Sequence, residues 1–455
     1  MTASLRPLPD RERGQIELAA GAGEPLAIGP LAIDRLALAA GDAIEDGELS
    51  RWQRRRTRLA AVRAHVDATA LAEALAARRP ALAAIGVTEL TVTTDDVVAV
   101  TARVADGLAS ADVSFQIGLC ASGRMLRAIV GAIRVHGHLP TPAPLVVQRL
   151  IDAVLGDDRG DADPIRRAGL CEWVIDVAGL ATWRLLPPAG WRLPALDQVR
   201  VVGLTIAGGA VTIELGAEGD PPTPPPAVQA WTVAHAAMAS ADELLRQGLL
   251  EDAMRGYRAL LAAAGPEQPA LLERILAITS ARPTWFVDGR ELARQALGRW
   301  PEFAAAHAAL ASIALAEGDT REAAARLATV AQLGSRQGDR AGATAAALAA
   351  ARLYRVIEPA AATALYQRAL TLSPGLVEAE DALIERLTDE RRWRELVALH
   401  DARGARRQDE ARAAAWAEAA RLAADELGDL DAARGLVGRA LAAAPIAAAH
   451  LAAGR

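Results

Sequence analysis

The chain contains no lysine, so all 50 of its basic residues are arginine. With alanine abundant throughout, this usage fits a GC-rich, bacterial genome and does not by itself point to a phosphate site. Only two cysteines, Cys120 and Cys171, occur in 455 residues. That is too few for a disulfide framework and agrees with a reducing compartment. No run of about 18 uninterrupted apolar residues is present, so no transmembrane helix is expected. The opening stretch MTASLRPLPDRERGQ carries charge and proline where an export signal needs an apolar core. A cytoplasmic, soluble protein is therefore expected. A net charge of -6 with a pI near 5.8 leaves out the strongly basic footprint of a nucleic-acid binder. No strand is followed by a phosphate-cradling glycine loop, and no serine, cysteine or histidine stands in a nucleophile motif. Neither a cofactor nor enzymatic activity is expected.

What the chain does have is length beyond the roughly 250–300 residues at which one core stops growing, so two or more domains are expected. AEGDPPTPPPAV, from Ala217 to Val228, holds five prolines and reads as an extended spacer. Apolar residues recur with period two before it and with a helical period after it. The expected organisation is an α+β domain over 1–216, a proline-rich linker over 217–229 and a helical solenoid over 230–455, each flank with a core of its own.

In the first half, Leu90 and Val92 alternate with threonines, a turn follows at Thr94, Asp95 and Asp96, and Val98, Val100, Ala102 and Val104 resume the apolar face. Val113, Phe115, Ile117 and Leu119 alternate next, then Met125 to Val135. Val202, Leu204 and Ile206 meet Val211, Ile213 and Leu215 across Gly208-Gly209, a tight-hairpin signal. Leu36, Leu38 and Ala40 are a further strand candidate with an ambiguous pattern. Helices are predicted over Ala68 to Ala77 and Pro144 to Leu155. An antiparallel sheet with a few helices on one face is the simplest assembly.

The second half repeats itself. A glycine is followed five residues later by a small residue at Gly248–Ala253, Gly318–Ala323 and Gly428–Ala433. Ala362 and Ala433 are each followed twelve positions on by a proline, Pro374 and Pro445. Pro301, Pro374 and Pro445 are spaced by two units of about 36 residues, the period of a stacked solenoid. Within the units, Ala253, Tyr257 and Leu260, then Ala323, Leu327 and Val330, then Ala362, Tyr366 and Ala369 share one register. These residues resemble the tetratricopeptide repeat (TPR) family over about residues 230–445, in some six helix pairs. The pair from Val377 to Arg403 departs from the pattern, with Arg391-Arg392-Trp393 in place of the glycine turn. The last pair departs too, with Arg421 at a small-residue position.

This resemblance implies an all-α solenoid whose first helices line a concave face that holds a protein or peptide partner. Its facing positions map onto Glu378, Asp381, Glu385, Asp389, Glu418, Asp425 and Glu426 in the last two pairs, and onto Ala305, Ala308, Ser312 and Leu315 in the third. A neutral stretch thus leads into an acidic one, which implies a basic partner segment. The lysine-based carboxylate clamp of some relatives cannot occur in its usual form. The expected function is a non-enzymatic interaction adaptor or scaffold.

A second resemblance rests on RAHVDATALAEAL, GVTELTVTTDDVVAVTARV, IRVHGHLPTPAPLVVQRLIDAVL and LPALDQVRVVGLTIAGGAVTIEL. Their order of strand, helix, hairpins, helix and closing hairpin, over about residues 58–215, is similar to bacterial members of the tubular lipid-binding superfamily. It implies, as an alternative function, a lipid-handling protein with an apolar groove in the first domain and repeats for recruitment.

Other clusters read as structural. His136 and His138 would share a strand face, but no further ligands for zinc lie nearby. Asp157, Asp158, Asp161 and Asp163 lack the closing glutamate of an EF-hand loop. Arg51, Arg54, Arg55, Arg56 and Arg58 around Trp52 read as a solvated connection, and Trp173, Trp183 and Trp191 as core and loop anchors.

Overall fold

The computed structural model describes residues 5–10, 15–20, 26–40, 53–94, 97–156, 164–264 and 268–444. The acidic loop at 157–163, the turn residues Asp95 and Asp96, Arg51, Trp52 and Pro445 lie outside them.

Two antiparallel sheets form the first part. One takes β1 (Leu5–Asp10), β2 (Gln15–Ala20), β3 (Leu26–Ile28), β4 (Leu31–Ala40) and β5 (Thr57–Asp67), together with β12 (Arg200–Ala207) and β13 (Ala210–Gly216). Its order is β1-β2-β4-β5-β13-β12, with β3 paired to β4. The other has the order β10-β11-β9-β8-β7-β6. It is built from β6 (Val87–Thr94), β7 (Val98–Asp106), β8 (Ala109–Ser122), β9 (Met125–His136), β10 (Ile165–Gly169) and β11 (Glu172–Ile175). Helices α1 (Ala68–Ala77), α2 (Arg79–Ala84), α3 (Ala143–Leu155) and α4 (Val177–Leu185) interrupt the strands.

The hairpin expected at Gly208-Gly209 is present. Ile206 faces Val211, and both glycines have positive φ, 61° and 81°, as a two-residue turn between twisted strands requires. The ambiguous run around Leu36 is a strand, because β4 is interior to its sheet and is buried on both faces. The single antiparallel sheet expected becomes two, since the first 40 residues add strands of which only the run around Leu36 is marked by its apolar pattern.

Twelve helices follow among the described residues, taken two by two in chain order. They are α5 (Pro226–Arg246) and α6 (Leu250–Ala264), α7 (Pro269–Thr279) and α8 (Phe286–Arg299), α9 (Ala304–Ala316) and α10 (Thr320–Arg336), α11 (Arg340–Ile357) and α12 (Pro359–Leu372), α13 (Val377–Asp389) and α14 (Trp393–Arg406), and α15 (Asp409–Asp425) and α16 (Leu430–Ala443). The glycines read as turns, Gly248, Gly318 and Gly428, all have positive φ, and the small residues five positions on, Ala253, Ala323 and Ala433, are buried. At Gly248 and Gly428 the left-handed residue reverses the chain, and Ala253 and Ala433 let the second helix approach the first closely.

In the irregular fifth pair Arg391 occupies the left-handed position itself, at φ 54°. An L side chain there costs roughly 1–2 kcal/mol. Arg391→Gly is accordingly expected to raise stability by about 1 kcal/mol in a denaturant titration. An unchanged or lower midpoint would show that the arginine side chain compensates.

The chain divides into two compact units, Met1–Glu317 and Gly318–Arg455. This differs from the boundary expected at 217–229, and the reason is packing. One apolar core takes Leu38 and Leu59 from the first sheet, Val113 and Val130 from the second, and Met238, Tyr257 and Ile275 from the helices. Helices α5, α7 and α9 all pack on β9. Trp231 of α5 lies on Gly131 of β9, and Val228 on Gly118 of β8, where glycine leaves room for a helix to approach. The 217–225 stretch is irregular or extended, as its prolines dictate, but it connects parts of one core.

Candidate functional site

Helices α5, α7 and α9 are the first members of their pairs, and in the first unit it is they that meet the sheet. Ala305 and Ala308, predicted to line a binding face, are buried and border a cavity of only about 10 Å³ together with Ile133 and Val135 of β9. Ser312 is buried too, its hydroxyl 3.4 Å from the Ser280 carbonyl and 3.4 Å from His138 Nδ1. The neutral stretch is therefore neutral because it faces the protein's own strand.

The two histidines separate. Nε2 of His136 is 2.7 Å from the buried Ser114 hydroxyl, whereas His138 lies past the end of β9 with its ring edge-on to Phe286. No group of three or more potential metal ligands occurs among the described residues. Trp173 and Trp191 are buried, and Trp183 is half exposed.

A polar cluster that the sequence reading missed lies inside the first unit. Arg274 of α7 donates to Asp242 Oδ1 of α5 at 2.8 Å, with side chains 4% and 5% exposed. The Tyr257 hydroxyl of α6 donates to the same oxygen. Arg274 Nη2 lies 3.3 Å from Nε2 of His235. Burial, reinforced by the Arg274 charge, pushes the His235 pKa down to about 3. The Cys171 thiol is pushed up to about 12 by burial, so neither group is poised for proton transfer near neutrality. Three helices share one satisfied charge pair, a structural arrangement.

The seven predicted acidic residues of the second unit fall into two classes. Glu378 is clasped by Arg352 Nε and Nη2 at 2.5 and 2.6 Å. Asp381 is 3.0 Å from Arg403. Glu418 accepts from Arg421 at 2.6 Å, and that bond holds its carboxyl below the usual range. Asp425 is 3.6 Å from the same arginine. Arg421, at the irregular position, thus serves two carboxylates of its own helix. The reading also passed over Glu380, which is fully buried and takes ion pairs from Arg403, Arg406 and Arg407. Its spacing within α13 turns it, with the buried Ala379, away from solvent, whereas Asp381 is exposed.

Glu385, Asp389 and Glu426 are exposed, and none has an ion-pair partner among the described residues. Glu385 and Asp389, one turn apart on α13, line a cleft of about 210 Å³ with Arg386, Thr363 and Tyr366 of α12, and Arg355 at the end of α11. That is far above the ~10–15 Å³ that one water needs. Tyr366 is 4% exposed, and no hydrogen-bond partner for its hydroxyl is present among the described residues. Its pKa is raised by burial and by the charges of Glu378 and Glu385, with Arg355 opposing.

No family model matches the chain, and no curated protein matches it. Solved structures similar to it include TPR proteins. PilF of Pseudomonas aeruginosa is 15% identical, with a TM-score of 0.29, over 50% of this chain and 100% of that one. YrrB, described as a TPR protein with an unusual peptide-binding site, is 16% identical, with a TM-score of 0.27, over 44% and 97%. A tetratricopeptide repeat protein from Parabacteroides merdae is 16% identical, with a TM-score of 0.29, over 50% and 85%. The tubular lipid-binding resemblance gains no support. No helix among the described residues is long and apolar enough to cross a membrane.

Proposed function

We propose that the chain is a non-catalytic interaction scaffold whose helix pairs in residues 318–455 hold a basic segment of a partner protein. The observation that carries this reading is the pair Glu385 and Asp389. Both are exposed and without an arginine, in a stretch where Glu378, Glu380, Asp381, Glu418 and Asp425 are each matched by one. Two like charges left one turn apart cost a few tenths of a kcal/mol in an isolated helix. A basic partner relieves that repulsion.

The test is retention of peptides by the immobilised full chain. Arginine-rich peptides should be held at 0.1 M salt and released at 0.5 M, because the Debye length shrinks from about 10 Å toward a few Å. Glu385→Arg with Asp389→Arg should weaken retention at least about tenfold while leaving the melting temperature near that of the parent. Equal retention of acidic peptides, or indifference to the reversal, would refute the reading.

A further inference from the structure

We infer that the cleft walled by α11, α12 and α13 is an anchor pocket for one arginine side chain of the partner. This inference rests on the scaffold reading above and narrows it to one contact.

The first ground is the unspent hydrogen-bonding capacity that converges there. On the α13 wall the carboxylates of Glu385 and Asp389 have no ion-pair partner. On the α12 wall the Tyr366 side chain is almost wholly buried and lines the same cleft, yet its hydroxyl has no partner among the described residues. Thr363, beside it, is not available in the same way, since its hydroxyl donates to the Pro359 carbonyl at 3.0 Å. A buried phenol facing an open cleft without a protein partner is expected to meet either water or a ligand.

Charge is the second ground. Arg386 pairs through Nη2 with Glu390, 2.5 Å away, while its buried Nε has no partner among the described residues; with that charge offset, the charges left facing the cleft are Glu385, Asp389 and Arg355. The pocket is therefore net negative, with its negative side on α13 and its positive side at the end of α11. A cation entering it is drawn toward α13. Arg355 is then placed to meet a carbonyl oxygen of the partner backbone behind the cationic head.

Arginine fits these acceptors better than lysine does. Two carboxylates and a phenol oxygen lie on different walls, and a guanidinium presents five donors in a fixed plane, whereas an ammonium is a compact point charge. The room available, about 210 Å³, admits a side chain but no folded element.

The chain has three tyrosines, Tyr257, Tyr354 and Tyr366, so full-length protein carrying 3-fluorotyrosine should give three fluorine resonances. Tyr366→Phe assigns one of them. Titration with N-acetyl-arginine methylamide should move the Tyr366 resonance saturably in the millimolar range, while the norleucine and glutamate analogues at matched ionic strength leave it in place. Glu385→Gln with Asp389→Asn, both on exposed positions, should weaken the arginine effect about tenfold or more. A Tyr366 resonance that ignores the arginine probe, or follows the norleucine or glutamate probe equally, would overturn the pocket. Failure of the pocket alone would appear as a Tyr366 resonance that ignores the arginine probe while the parent chain still retains arginine-rich peptides in a salt-sensitive way and loses them on the Glu385→Arg, Asp389→Arg reversal. Failure of the scaffold reading would appear as no retention of those peptides by the parent chain.

Discussion

Arg274→Met is expected to destabilise the first unit by about 3–5 kcal/mol, the cost of leaving one half of a buried ion pair behind. Asp242 would keep the Tyr257 hydroxyl as a donor but lose its counter-charge, at a site where its side chain is 5% exposed. The double variant Asp242→Asn with Arg274→Met should recover much of the loss, because the uncompensated charge is then gone. A urea titration of the three proteins measures both effects. A single-variant loss below about 1 kcal/mol would mean that water reaches the carboxylate, and the account of a dry pair would fall.

The same cluster sets an acid response. His235 stays neutral in the fold because burial, and then the Arg274 charge, depress its pKa from 6.5 to about 3. Once unfolded, it takes up a proton below about 6.5. Between those values the unfolded state binds more protons, so stability should fall as pH is lowered from about 6.5 toward 3. His235→Gln should flatten that part of the profile.

The second large effect is expected from Gly131→Ala. A Cβ at Gly131 would stand 2.1 and 2.2 Å from Trp231 Cε2 and Cδ2, atoms of a rigid ring fused at that edge. Neither strand nor indole can give by that much in place, so α5 must shift away from β9. The cost should reach the top of the overpacking range, about 3 kcal/mol. Cleavage by protease in the proline stretch should rise as α5 loosens. Adding Trp231→Ala should restore part of the stability by removing the clash. Unchanged melting in Gly131→Ala would show that Trp231 does not hold the helix to the sheet.

These two sites show where one-dimensional reading stopped. The Gly248, Gly318 and Gly428 turns were legible because positive φ is a local demand that glycine alone meets cheaply. Ala253 and Ala433 were legible because a close helix crossing demands a small side chain in a fixed register. Gly118 and Gly131 satisfy the same demand for close approach, but their partners are a hundred or more residues away, so nothing local marks them. Arg274, Asp242 and His235 each sit on a helix as an ordinary polar residue until three helices close around them. On α13, spacing could select Glu378, Asp381, Glu385 and Asp389 as one acidic group. It could not see that Arg352 and Arg403, from neighbouring helices, neutralise the first two.

The sequence alone determined the change from strand to helix near residue 217, the hairpin at Gly208-Gly209, the helical pairing of the second half and the absence of lysine chemistry. All of these follow from backbone preferences and side-chain periods that act within a few residues. Only the tertiary structure decided that α5 and α7 belong to the core of the sheets, and that α9 packs on β9 with its neutral face covered. It alone decided, too, that Glu385 and Asp389 remain open. The physical reason is that burial and charge pairing are set by which distant surfaces meet, and a helix pattern specifies a face without naming what will cover it.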